Sequence, residues 1–150
     1  MMLRPLQATD RQSIAALEQA AQVFPWTLEH IAAIPSNIDV GWVIESQQQL
    51  VAWLAARIIA DEAEILNMAV LPSRRQQGLG RQLLHTLLAQ ADDSGVERVF
   101  LEVRHSNRAA QALYRSSGFV QCGLRKDYYR LGPSSREDAL LMQRLRSRSG

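Results

Sequence analysis

The sequence predicts a mixed α/β domain with a mostly antiparallel central sheet and helices on both faces. Three observations carry that prediction. Short apolar runs that read as strands alternate with helical stretches in the order β-α-α-β-β-β-α-β-α-β-β. Two of those runs flank a polar Gln47-Gln48-Gln49 turn, a hairpin signature. From Gly78 to about Asp93, Leu79, Leu83, Leu84, Leu87, Leu88 and Ala91 share one stripe at helical spacing.

The elements follow in order. Leu3 to Leu6 reads as a short first strand. Thr9 offers an N-cap with Gln12 in capping-box position, and Ile14, Leu17 and Ala21 recur at helical spacing, so a helix is expected from about Asp10 to Val23. Phe24-Pro25-Trp26 breaks it, and Thr27 can cap a second short helix that ends before Pro35. Val40–Glu45 and Leu50–Ile59 form the hairpin, and Glu64–Val70 is a strand stopped by Pro72. After the long amphipathic helix, which Gly95 ends, Val99–Val103 is a strand. Asn107–Ser117 is a helix closed by Gly118. Phe119–Arg125 and Ala139–Leu145 are the last strands.

Length and composition narrow the class. The 150 residues suit one domain over 1–150, with residues 146–150 expected as a frayed basic tail. Hydrophobic content of 47% and charged content of 21% are those of a globular chain. No run approaches the ~20 apolar residues of a membrane span, and Met1–Asp10 lacks the apolar core of a signal peptide. A cytoplasmic protein without membrane contact is therefore expected. A formal net charge of +2 gives no argument for nucleic-acid binding. Arg144, Arg146 and Arg148 read as a solvated end, with an electrostatic contact to RNA or a ribosomal particle as the alternative. No metal is expected, because His30, His85 and His105 have no ligand spacing and Cys122 has no partner. Cys122 reads as a small core residue, His85 as a boundary residue of its helix, and His105 as structural.

The densest functional signal is Arg75-Gln76-Gln77-Gly78-Leu79-Gly80-Arg81, between a strand and a long helix. Glycines let backbone approach a ligand without a Cβ clash. Free N–H groups and the helix dipole attract anions at a helix start. Arg74, Arg75 and Arg81 add positive charge. The turn is not a Walker loop, since no Gly-Lys-Ser/Thr follows, nor a dinucleotide fingerprint, since Leu83 stands at the third glycine position. Alone, this Gly-x-Gly also fits a plain tight turn.

With its neighbours, the segment resembles the Gln/Arg-x-x-Gly-x-Gly/Ala motif of the GCN5-related N-acetyltransferase superfamily. Further segments stand in the order and spacing of the bacterial ribosomal-protein-alanine acetyltransferases, the RimI type: Phe24-Pro25-Trp26, Asn67-Met68-Ala69-Val70, Leu101-Glu102-Val103-Arg104, Ser106-Asn107, Ala112-Leu113-Tyr114, Gly118-Phe119, Tyr128-Tyr129 and Arg136-Glu137-Asp138-Ala139. The resemblance runs from about Leu3 to Leu145. It departs at Arg75, where Gln is frequent, and at Met68, where an aliphatic residue is more usual.

The resemblance implies a sheet whose middle strands splay apart and acetyl-CoA as the acetyl donor. It implies an N-terminal peptide of a ribosomal protein as acceptor, the N-terminal alanine of small-subunit protein eighteen. It assigns backbone contacts with the pantetheine arm to Met68, Ala69 and Val70, with Val70 N–H polarising the thioester carbonyl. The diphosphate goes to the amides of Gln76, Gln77, Gly78, Leu79, Gly80 and Arg81. Asn107 binds the arm, and a plain N-cap role for it is compatible. Glu102 is the implied general base and Tyr114 the implied general acid. Spacing alone favours a Glu102 paired with Arg104 or a neighbouring strand, and a Tyr114 packed in the core. Phe24–Trp26 and Tyr128–Tyr129 would frame the acceptor on opposite sides. Alternatives are a broader Nα- or lysine acetyltransferase of the same fold, and a non-catalytic acyl-CoA-binding module.

Overall fold

A computed structural model of the chain describes residues 1–146. Its frame is a seven-stranded sheet in the order β1-β2-β3-β4-β5-β7-β6. The strands are β1 (Met2–Pro5), β2 (Asp39–Ser46), β3 (Gln49–Ile59), β4 (Glu62–Val70), β5 (Arg98–Arg104), β6 (Val120–Arg130) and β7 (Arg136–Leu145). Every neighbouring pair is antiparallel except β4–β5. The helices are α1 (Arg11–Ala21), α2 (Leu28–Ile31), α3 (Leu79–Asp93) and α4 (Arg108–Ser116).

Each face of the sheet has its own core. On one, α3 inserts Leu79, Leu83, Leu84, Leu87, Leu88 and Ala91 against Val99, Leu101 and Val103 of β5 and Ala63 and Ile65 of β4. Burying each such leucine stabilises the fold by about 1.5–3 kcal/mol. On the other, Ile14 and Leu17 of α1, with Ile31 and Ile34, pack on Val43, Trp53, Ala55 and Ala69. The β2–β3 hairpin turns at Gln47 and Gln48, both at positive φ, as the tight twist of a two-residue hairpin requires.

Several local expectations change. The first helical turn is capped two residues earlier than Thr9: Gln7 N–H donates to Asp10 Oδ2 at 2.8 Å, and Arg4 pairs with the same carboxylate at 2.8 Å. Asp10 is held below the usual carboxylate range by the hydrogen-bonded Arg4 guanidinium. A 3₁₀ turn at Ala8–Asp10 therefore precedes α1. Cys122 is exposed on the edge strand β6 rather than buried; β6 has β7 on one side only, so that strand encloses no core. His85 is likewise exposed. Arg144 and Arg146 are not part of a frayed end. Arg144 pairs with Asp92 at 3.3 Å and Arg146 N–H donates to Glu97 O at 2.8 Å. The rest of the expected tail lies outside the described residues.

Candidate functional site

The parallel pair β4–β5 is joined only from Glu62↔Arg98 to Ile65↔Leu101. Beyond that point β4 stays with β3 as far as Val70↔Ala52, and β5 stays with β7 as far as Arg104↔Ala139. A wedge therefore opens through the sheet. It begins beside a bulge in β4, where Ile65 and Asn67 face the consecutive residues Ala56 and Ala55 and Leu66 is the extra residue. Such a bulge bends its strand. The wedge is part of a cleft of about 940 Å³ reaching from the start of α3 to Tyr129 and Glu137.

The first wall is backbone. Leu71 N–H donates to Val51 O, so the two-residue alternation of an antiparallel ladder turns Ala69 toward β3 and Met68 and Val70 toward the gap. Met68 is already occupied: its N–H donates to Asn67 Oδ1 at 2.8 Å and its C=O accepts from Gln22 Nε2 at 3.3 Å. Of the three residues expected to make backbone contacts, Ala69 faces β3 while Met68 and Val70 face the gap, and the Val70 N–H points where β5 no longer runs beside it.

At the floor of the cleft stands the start of α3. Gln82 N–H makes the first helical bond, to Gly78 O at 3.0 Å. Among the described residues the N–H groups of Gly78, Leu79, Gly80 and Arg81 have no acceptor. Gly78 sits at φ +78°, which admits glycine most readily. A Cβ on Gly80 would lie 3.2 Å from Leu113 Cδ2, so this glycine sets how closely α3 approaches α4. Gln76 lines the cleft, whereas Gln77 is exposed outside it. Arg75 is exposed but tethered: its guanidinium donates to Ala21 O at 3.0 Å and Val70 O at 3.4 Å. Asn107 caps α4, its Oδ1 accepting from Ala110 N–H at 3.1 Å, and it lines the same cleft.

Glu102 and Tyr114 lie on opposite faces of the sheet and both border the cleft. Val99, Leu101 and Val103 face α3, so Phe100, Glu102 and Arg104 face the α1 side. Tyr114 belongs to the α3–α4 core, with its ring 5.6 Å from that of Phe119, and it also borders the cleft. Burial pushes its phenol pKa well up. The Glu102 carboxylate, 20% exposed, meets Arg125 Nε at 3.3 Å. Of the partners expected from spacing, Arg104 or a residue of another strand, it is the second kind that forms, through Arg125 of β6. Arg104 stacks instead between the rings of Phe24 and Tyr129, 4.3 Å from each, and lies 3.9 Å from Glu137. A guanidinium gains more from two ring faces and a carboxylate than from a single exposed partner.

The α1 side contributes Tyr129, Phe24 and Trp26, as expected, and also Glu64 and Glu18, which pattern reading missed. Tyr129 is pushed up to about 12 by burial and by the nearby Glu102 charge. Glu64 is raised by burial and then by Glu102, with Arg57 and Arg125 partly offsetting both. Tyr129 borders the cleft, but Tyr128 stays 43% exposed outside it, over Arg125. Phe24 and Trp26 both line the cleft, as expected for a wall. Glu18 is fully buried on α1 and bonded to Trp26, Trp53 and Asn67. Its signal was available: it stands four residues after Ile14 on the apolar stripe, where a carboxylate needs polar partners.

The arrangement joins an anion-binding helix start to a carboxylate across an open seam, which suits group transfer from a phosphate-bearing donor to a second molecule. Comparisons with known proteins agree. The acetyltransferase (GNAT) family matches residues 8–119. The [ribosomal protein bS18]-alanine N-acetyltransferase of Escherichia coli (strain K12) is 36% identical over 137 residues, covering 91% of this chain and 92% of the relative. The protein of the same name from Haemophilus ducreyi is 33% identical, covering 94% and 97%. The crystal structure of the ribosomal-protein-S18-alanine N-acetyltransferase from Escherichia coli superimposes with a TM-score of 0.92 at 35% identity, covering 99% of this chain and 96% of that one. The chain belongs to the GNAT family of acetyltransferases.

Proposed function

We propose that the protein transfers the acetyl group of acetyl-CoA to the N-terminal α-amine of an alanine-initiated ribosomal protein, the small-subunit protein bS18 that its relatives' names specify. The observation that carries this reading is the wedge itself: one opening connects the free N–H groups of α3 on one face with the Glu102 carboxylate on the other.

The chemistry divides among the residues that line it. The diphosphate of CoA suits the open N–H groups from Gly78 to Arg81, where the helix dipole adds to hydrogen bonding. The pantetheine arm runs up the wedge past Asn107 to Val70. There the Val70 N–H donates to the thioester oxygen and stabilises the negative charge that grows on it during attack. An ammonium has no lone pair, so the acceptor must first lose a proton, and Glu102 takes it directly or through one water. A C–N bond forms as the C–S bond breaks. The Tyr114 hydroxyl gives its proton to the departing CoA sulfur, and the second proton, shed by the nitrogen as the amide forms, returns through water to the phenolate. The buried phenol is protonated at neutral pH, so its proton is present when the thiolate develops beside it.

The acceptor enters from the α1 side, between Phe24–Trp26 and Tyr129. Glu102 and Glu137 give that entrance acidic groups that favour an ammonium over a neutral or acidic terminus. The test is intact-mass and fragmentation analysis of an alanine-initiated peptide incubated with enzyme and acetyl-CoA. One acetyl group on the α-amine is expected. Modification of an internal lysine in a peptide with a blocked N-terminus would assign the broader acceptor range instead. Thiol release no faster than without enzyme would reduce the protein to an acyl-CoA-binding module.

A further inference from the structure

Glu18 lies on α1, has no exposed surface, and among the described residues faces no arginine or lysine side chain within ion-pairing distance. Its carboxylate is surrounded by donors. Oε1 accepts from Trp26 N–H and from Asn67 Nδ2, both at 2.9 Å; Oε2 accepts from Trp53 Nε1 at 2.9 Å and Gln22 Nε2 at 3.4 Å. A carboxylate is acceptor-only, so it matches this set. A glutamine in its place must aim its NH₂ at donors whichever way it turns.

The consequence reaches the wedge through Asn67. Because Nδ2 is held by Glu18, Oδ1 is turned to Met68 N–H at 2.8 Å, and it also accepts from Gln22 Nε2 at 3.0 Å. Met68 is where β4 faces the gap without β5 to bond it. Its amide would otherwise be a second open donor two residues from Val70. The same carboxylate fixes the backbone of Trp26, on the opposite wall of the cleft.

We infer that Glu18 is a positioning residue: it orients Asn67 so that Met68 N–H is occupied and Val70 N–H alone meets the thioester oxygen, while it anchors the Trp26 wall for the acceptor. The inference rests on the acetyl-transfer reading above. It assigns no bond to substrate, so Glu18 acts only through Asn67 and Trp26.

The experiment compares the full chain with Glu18→Gln, Asn67→Ala, the double variant and Trp53→Phe. Steady-state thiol release uses acetyl-CoA and an alanine-initiated peptide, and CoA binding is measured by calorimetry. Glu18→Gln is expected to lower kcat by ~10–100-fold through misplacement of the reacting groups and to raise peptide KM, with CoA Kd little changed because the α3 amides are untouched. Asn67→Ala, a partly exposed site, should reproduce the kcat loss without the peptide effect. The double variant should lose no more kcat than Glu18→Gln, since both act on one path. Trp53→Phe removes one Glu18 donor but leaves Asn67 held, so it should lower Tm while keeping kcat. Unchanged kcat in Glu18→Gln, multiplying losses in the double variant, or an equal kcat loss in Trp53→Phe would each overturn the inference. If the unmodified protein transfers no acetyl group, the functional reading fails, and the backbone ¹⁵N–H resonance of Val70 decides the positioning separately. It should shift with acetyl-CoA relative to CoA in the unmodified chain and not in Glu18→Gln; equal shifts in both would overturn it.

Discussion

The two faces of the sheet build their halves of the cleft from different material. The α3–α4 face offers backbone: the open N–H groups of Gly78–Arg81, Val70 N–H, and two glycines that bring chain close to ligand and helix close to helix. The α1 face offers side chains gathered from distant segments: Phe24, Trp26, Glu102, Arg104, Tyr129 and Glu137, with the buried Glu18 bonded to the Trp26 backbone. Backbone recognition depends on conformation and tolerates most side-chain exchanges. Side-chain recognition fails when one partner in a stack or ion pair is removed. The donor half is therefore built for one invariant ligand, and the acceptor half holds the selectivity.

The contrast can be broken where the halves meet. Glu102→Gln and Tyr114→Phe are expected to lower turnover by ~10²–10⁴-fold each, measured by thiol release with folding checked by circular dichroism; near-normal rates in both would remove the proposed acid and base. A smaller effect should divide the halves. Trp26→Ala and Tyr129→Ala should raise peptide KM more than acetyl-CoA KM, and equal changes would deny that they form an acceptor wall. Gly80→Ala should do the reverse. Its Cβ meets Leu113 at 3.2 Å, and overpacking of this kind costs about 1–3 kcal/mol; acetyl-CoA KM should rise more than peptide KM. The smallest change concerns charge. Glu64 has a folded-state pKa raised by burial and by Glu102, so its ionised form opposes folding above that pKa and the penalty fades as pH falls through it. Glu64→Gln should raise Tm modestly at neutral pH, with the gain shrinking in acid, as read by thermal melts across the carboxylate range.

Legibility in the sequence followed the same division. The donor half was readable because its signals are local: glycines at a helix start, a leucine stripe, an asparagine at a helix N-cap. Even there, spacing did not reveal that Ala69 turns to β3 or that Met68 N–H is taken, since both depend on the bulge beside Leu66. The succession of helices and strands along the chain and the hairpin at Gln47–Gln48 followed from periodicity and turn chemistry. The acceptor half was harder because its contacts are long-range. Nothing within a few residues of Arg104 announces that Phe24 and Tyr129 will stack on it. Cys122 was misjudged because a short run of alternating residues reads alike in an edge strand and an inner one.

The seam between β4 and β5 also bears on traffic. Donor and acceptor reach the reacting carbon from opposite sides of one wall, so neither blocks the other's exit. Spent CoA can withdraw along α3 while the acetylated chain end leaves past Tyr129, and the departure of one product does not have to wait for the other.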